Sequence, residues 1–304
     1  LFISMRRGGR FIYALDVVDP ADPKLLWRRS NADLGWAELG YSWSVPRVTT
    51  LLMDHDNNNS TAPANVQVLI FGAGYDPTPE DVVPDTITGF DETKVFNGAD
   101  NDRTMGRGIF VVEMETGDII WQAGSSVADP TDDTPAATHV FKTVADMDYA
   151  IPSDVTVITD RNGTVDNRAY VGDTGGQIWR VDMADPDPQD WTVTKLASLA
   201  DTSGLSASPP DPSGLRKFLF PPDVVYSEDG YDAVLIGSGD REHPFDESVV
   251  NQFYMIKDTG AATTPIRGTG TTTGVDTTVV EGDLFNATSN CIQDSSACDS
   301  GAGE

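Results

Sequence analysis

Three short strand-like segments recur along this chain in a fixed order, and no sustained 3.6-residue apolar period separates them. The first kind starts at a proline: Pro46-Arg-Val, Pro152-Ser-Asp-Val and Pro222-Asp-Val. The second runs into a Gly/Asp turn: Val66-Gln-Val-Leu-Ile-Phe-Gly-Ala-Gly-Tyr-Asp76, Arg168-Ala-Tyr-Val-Gly-Asp-Thr-Gly175 and Asp232-Ala-Val-Leu-Ile-Gly-Ser-Gly-Asp240. The third follows it: Gly108-Ile-Phe-Val-Val-Glu113, Gln177-Ile-Trp-Arg-Val-Asp182 and Gln252-Phe-Tyr-Met-Ile-Lys-Asp258, with an earlier copy at Arg10-Phe-Ile-Tyr-Ala-Leu-Asp16. Their Val, Ile, Tyr, Phe and Trp content, bounded by Gly, Asp or Pro, is the signature of strands. A hairpin closing on tryptophan often comes next. Glu113-Met-Glu-Thr-Gly-Asp-Ile-Ile-Trp121 turns at Thr116-Gly117-Asp118; Asp16 leads to Trp27, and Asp182 leads to Trp191 through Asp185-Pro186-Asp187-Pro188.

Three or four short strands, a Gly/Asp turn and a closing tryptophan, repeated, describe the blades of an all-β propeller. A single blade cannot bury both faces, so neighbours must stack. A sandwich of the same strands is the alternative packing. Residues 1–260 read as partial propeller blades, interrupted by long insertions at 77–105 and 124–145, where binding tends to reside. Three full blades and the tail of a fourth make an incomplete ring, so further blades are expected upstream. Residues 261–304 read as a Thr/Gly-rich linker or closing strand followed by a small polar tail.

Charge narrows the function. The 48 acidic and 20 basic side chains give a formal net charge of -28. Such a chain lacks the clustered Lys and Arg that nucleic acid demands, and it is repelled by anionic membrane surfaces. No apolar stretch is long enough to insert in a bilayer; Val68-Leu-Ile-Phe71 is typical. The acidic excess admits cations and also serves solubility alone. Cys291 and Cys298 are close enough in sequence for a small disulfide loop in an oxidising compartment, and equally allow two reduced thiols. The chain opens at Leu1, so any export signal is expected farther upstream.

Two acidic loops between strands are candidate Ca²⁺ sites. Asp160, Asn162, Thr164 (through its carbonyl) and Asp166 alternate around Gly163, as a short loop must to surround a hard cation with oxygens. Asp54, Asp56 and Asn58 form a weaker set without a later carboxylate. An Asn-Gly hairpin and an Asx-rich turn are the structural alternatives. Catalytic patterns are absent: the three histidines, His55, His139 and His243, sit in unrelated surroundings, and no nucleophile elbow, His-Glu-x-x-His or phosphate loop occurs.

The motifs, taken in order, resemble one family. Gly9-Arg-Phe-Ile-Tyr-Ala-Leu-Asp16, Leu39-Gly-Tyr-Ser-Trp-Ser-Val-Pro46 and Val68-Leu-Ile-Phe-Gly-Ala-Gly-Tyr-Asp76 are similar to the C-terminal propeller of PilC/PilY-type proteins, which are type IV pilus tip adhesins and assembly factors. Ile151-Pro-Ser-Asp-Val-Thr-Val157, Tyr170-Val-Gly-Asp-Thr-Gly-Gly-Gln-Ile-Trp-Arg-Val-Asp182 and Ile236-Gly-Ser-Gly-Asp-Arg-Glu-His-Pro244 continue the resemblance. It implies a modified quinoprotein-like propeller, exported through the outer membrane to the pilus, binding pilin or minor pilins and a host or abiotic surface ligand without catalysis. It also implies a Ca²⁺ loop over 159–166, in which Ile158 or Thr159 stands where the leading carboxylate would be. Two alternatives stay open: a propeller of another extracellular filament or surface layer, and a quinoprotein dehydrogenase. Such dehydrogenases carry a pair of adjacent cysteines over the cofactor, and this chain has none.

Overall fold

The computed structural model describes residues 1–54, 62–76, 105–125, 139–159, 166–206, 211, 213–241, 244–245, 247–259 and 278–288. Within them the repeated segments form strands, except that Pro152-Ser-Asp-Val leads into its strand at Thr156, and the helical pieces are single 3₁₀ turns. A first sheet joins β1 (Phe2–Ser4), β2 (Phe11–Asp16) and β3 (Lys24–Ser30). The second orders β4 (Arg47–Met53), β5 (Ala64–Gly72), β6 (Ile109–Glu113), β7 (Ile119–Gly124) and β8 (Val140–Thr143). The third begins with β9 (Thr156–Thr159), β10 (Asp166–Gly172), β11 (Gln177–Asp182) and β12 (Thr192–Ser198); the fourth is β13 (Asp223–Tyr226), β14 (Asp232–Gly237) and β15 (Phe253–Asp258). Finally β16 (Val279–Val280) returns to the third sheet and lies parallel to β12. Neighbours are otherwise antiparallel and follow sequence order, except that β8 also pairs parallel, onto β7. The insertion expected over 124–145 therefore ends in sheet rather than loop, with Val140 opposite Trp121.

Packing follows the chain. On the second sheet, Val68, Ile70, Val111 and Trp121 share a core with Val157, Ala169, Val171 and Trp179 of the third. The alternate residues, Leu69, Phe71, Phe110 and Val112, share a core with Ile12, Ala14 and Trp27 of the first. Successive side chains of a strand point to opposite faces. The unbroken apolar run of β5 is thus explained by sheets on both sides, as in any sheet buried on two faces. The third sheet repeats this: Tyr170, Ile178 and Leu196 pack on Val234, Ile236, Tyr254 and Ile256 of the fourth. On β15 the alternate residues Phe253 and Met255 face outward and are exposed.

The seams differ in chemistry. Between the first and second sheets, Trp27 lies over the turn at Gly117 and donates its indole N–H to the Met114 carbonyl at 3.0 Å. Arg29 donates to the Thr116 and Gly117 carbonyls and to Asp118. Between the second and third, Trp121 meets Trp191 with ring centroids 5.6 Å apart. Between the third and fourth runs a buried charge network: Arg180 donates to Asp258 at 2.7 Å and to Asp182 at 2.8 Å, Arg168 bridges Asp182 and Asp232, and the Tyr170 hydroxyl donates to Asp258.

Candidate functional site: the end where the sheet connectors converge

Each sheet is linked to the next by an irregular connector laid across the Gly/Asp turns. Gly40 donates to the Ala73 carbonyl, Tyr41 and Tyr75 exchange N–H···O bonds, and Gly74 donates to Ile151. Thr174 donates to Ala150, Phe218 to Asp173, and Gly239 to Lys217. Inter-sheet backbone hydrogen bonds thus run from the first connector to the last, satisfying loop groups that would otherwise be buried without partners. Gly74 shows why the turns need glycine. Its φ is +107°, and an added Cβ would stand 2.4 Å from the Tyr41 carbonyl oxygen. The first connector is pinned from below by a buried pair, with Arg107 donating to Glu38 at 2.6 and 3.2 Å.

Residues within, or just ahead of, the three proline-led segments line one cleft that is open to solvent. Trp43 comes from the first connector, Tyr75 from the turn of the second sheet, Pro152 and Asp154 from the next connector, and Leu219, Phe220 and Pro221 from the last. Arg6, between β1 and β2, and Arg241, beyond β14, complete it. Both guanidinium carbons lie 5.5 Å from the Trp43 ring, and that of Arg241 lies 4.8 Å from Phe220. The Asp154 carboxylate accepts the Val45 N–H at 2.6 Å. Among the described residues the first and fourth sheets share no core cluster, yet Arg6 and Arg241 both lie against the Trp43 indole.

Of the residues expected to bind metal, Asp160, Asn162, Thr164, Asp56 and Asn58 lie outside the described residues. Asp166 opens β10 opposite Thr159 of β9. Its Oδ2 accepts the Thr49 hydroxyl and, at 3.4 Å, the Thr50 N–H, both on β4 of the second sheet, which leaves Oδ1 outside these bonds. Asp54 is buried at the end of β4, its N–H donating to the Pro186 carbonyl. It lies four residues beyond Thr50, ~13 Å of strand away. Among the described residues no group of three His, Cys, Asp or Glu is placed to hold a metal. His243, Cys291 and Cys298 also lie outside the described residues.

No protein-family model matches the chain. A curated type IV pilus biogenesis factor PilY1 homolog from Xylella fastidiosa is 26% identical over 215 residues, 69% of this chain. The crystal structure of the Pseudomonas aeruginosa PilY1 C-terminal domain superposes with a TM-score of 0.56 at 21% identity, covering 86% of this chain and 46% of that one. The chain is similar to a PilY1-type C-terminal domain. It spans 11% of the length of the curated relative. The strands and turns that carried the sequence resemblance are those that build the four sheets and the connector belt.

Reading the PilY1-like sequence missed the cleft. Trp43 and Arg241 lie within quoted motifs, but nothing local says that residues some two hundred positions apart meet. Of the recurring prolines before β4, β9 and β13, only Pro152 lines the cleft.

Proposed function

We propose that this chain is a folded portion of an extracellular, pilus-associated assembly and adhesion factor of type IV pili, acting as a binding scaffold rather than an enzyme. The observation that carries the reading is the agreement of a PilY1-homolog sequence match with the fold of a PilY1 C-terminal domain. The partners would be pilin or minor pilins and a host or abiotic surface ligand. The four sheets would be blades of a modified quinoprotein-like propeller. The convergence of Arg6 and Arg241 on Trp43 supports this, because sheets pack ~10 Å apart and a parallel stack would hold the first and fourth some three spacings apart at every point. Ca²⁺ would sit in the loop 159–166, with Asp160, Asn162, the Thr164 carbonyl and Asp166 as ligands, and would tune stability rather than chemistry. The test is deletion of the coding segment for residues 1–304 in the native host. Loss of sheared surface pilin, restored by the intact gene, is expected; normal piliation and normal attachment would overturn the reading.

A further inference from the structure

We propose that the cleft around Trp43 recognises a single carboxylate presented on an apolar peptide segment. Three observations lead there. First, the charge is unexpected: in a chain of net charge -28, Arg6 and Arg241 face one cleft and form no ion pair with a carboxylate among the described residues. Arg29, Arg107, Arg168, Arg180 and Arg216, by contrast, all hold carboxylates. Second, the walls are apolar and preformed. Trp43, Phe220, Leu219, Pro152 and Pro221 come from connectors held by the inter-sheet hydrogen bonds, and Phe220 is 50% exposed. Such a surface immobilises little on binding. Third, Arg6 adopts φ +50°, a left-handed conformation rare for a residue with a side chain, and its N–H is fixed on the Ser42 carbonyl at 3.1 Å.

The balance of charge selects the ligand. Two guanidiniums against Asp154 leave one net positive charge at the cleft, which matches one carboxylate. A polyanion such as nucleic acid would gain little here and would meet the field of the whole acidic chain. A guanidinium presents a planar fork suited to a carboxylate, and both guanidinium carbons lie within 5.5 Å of the same indole, which shields part of each from water. The carboxylate could be an Asp or Glu side chain or a chain terminus.

This inference does not rest on the pilus reading, since it concerns what the cleft accepts and not whose peptide arrives. Fluorescence anisotropy of the 304-residue chain decides it with three labelled peptides. One is amidated and carries Glu between two Phe; the second is its Gln twin; the third carries Ala in that place and a free C-terminal carboxylate. We expect the Glu peptide or the free-terminus peptide to bind at least about tenfold more tightly than the Gln twin, and to weaken as salt rises. Which of the two binds names the source of the carboxylate. Arg241→Gln and Arg6→Gly, the latter relieving the backbone, are each expected to weaken binding about tenfold, while Arg28→Gln, outside the cleft, leaves it unchanged. Equal binding of all three peptides, no saturation with any, or parent-like binding by both cleft variants overturns the proposal. Failure here leaves the piliation test untouched, and the reverse holds too.

Discussion

Asp173 shows how one residue ties a repeated motif together. It follows β10, is fully buried, and accepts the N–H groups of Gly175 and Gln177 at 2.9 Å and the indole N–H of Trp179 at 2.8 Å. Burial pushes its carboxyl from an ordinary 3.8 up to about 7, with the hydrogen bonds from Trp179, Gln177 and Gly175 pulling the other way. A carboxyl whose proton is held more tightly in the folded state stabilises the fold at low pH. That contribution is complete below about pH 4 and is lost as the pH rises through about 7. Each pH unit in that window is worth about 1.4 kcal/mol. Asp173→Asn places an amide where Trp179 needs an acceptor, so the variant is expected to melt lower throughout. Its pH dependence between 4 and 8 should be flatter than the parent's. Parallel melting curves for parent and variant across that range would refute this account of Asp173. The neighbouring Tyr170 phenol is likewise pushed up, by burial and then by the charge of Asp258, which keeps it a donor to that carboxylate.

At the scale of elements, the closing tryptophan is a latch between sheets. Trp27 on β3 is 7% exposed and rests on the β6–β7 turn of the next sheet. Gly117 there has φ +69°, and an added Cβ would approach the indole to 2.8 Å. Two independent constraints, a left-handed backbone and a close ring, therefore exclude a side chain. Trp27→Ala is expected to cost about 3–5 kcal/mol, and Gly117→Val to destabilise strongly through both strain and overpacking. Thr116→Ala, at an exposed position of the same turn, should cost under about 1 kcal/mol. Denaturant melts of the three variants check the ranking, and a mild Gly117→Val would mean that the seam can separate without loss of the fold.

For the whole molecule, the metal and the enzyme readings can be tested on one preparation. Few charged ligands mean modest affinity, on the order of 10⁻⁴ to 10⁻³ M, as in extracellular modules. With free Ca²⁺ a hundredfold above the dissociation constant, the folded state gains about 2.7 kcal/mol. Because Asp166 also accepts from Thr49, Asp166→Ala is expected to lower stability in chelator as well, by about 1 kcal/mol. The informative quantity is the Ca²⁺-dependent increment, which Asp166→Ala should abolish and Thr49→Val and Asp56→Ala should retain. Identical parent melting in millimolar Ca²⁺ and in chelator would remove Ca²⁺ from the function. Reconstitution with the quinone cofactor and Ca²⁺ is expected to give no substrate-dependent dye reduction with alcohols or sugars. Turnover there would revive the dehydrogenase alternative.

The sequence by itself determined the repeated strands, their order and the turns between them, though not β1 or β8. Each of these depends on neighbours in the chain: the Val-Leu-Ile-Phe run of β5, the Thr-Gly-Asp turn after Glu113, and the prolines before β4, β9 and β13. Only the tertiary structure decided what those elements meet. That β5 is buried on both faces, that Asp166 answers Thr49, that Arg180 reaches Asp258, and that Arg6 and Arg241 share Trp43 all depend on how successive sheets are turned against one another. A strand's pattern fixes which residues share a face, but the partner of that face lies on another sheet, and no local period encodes the angle between them.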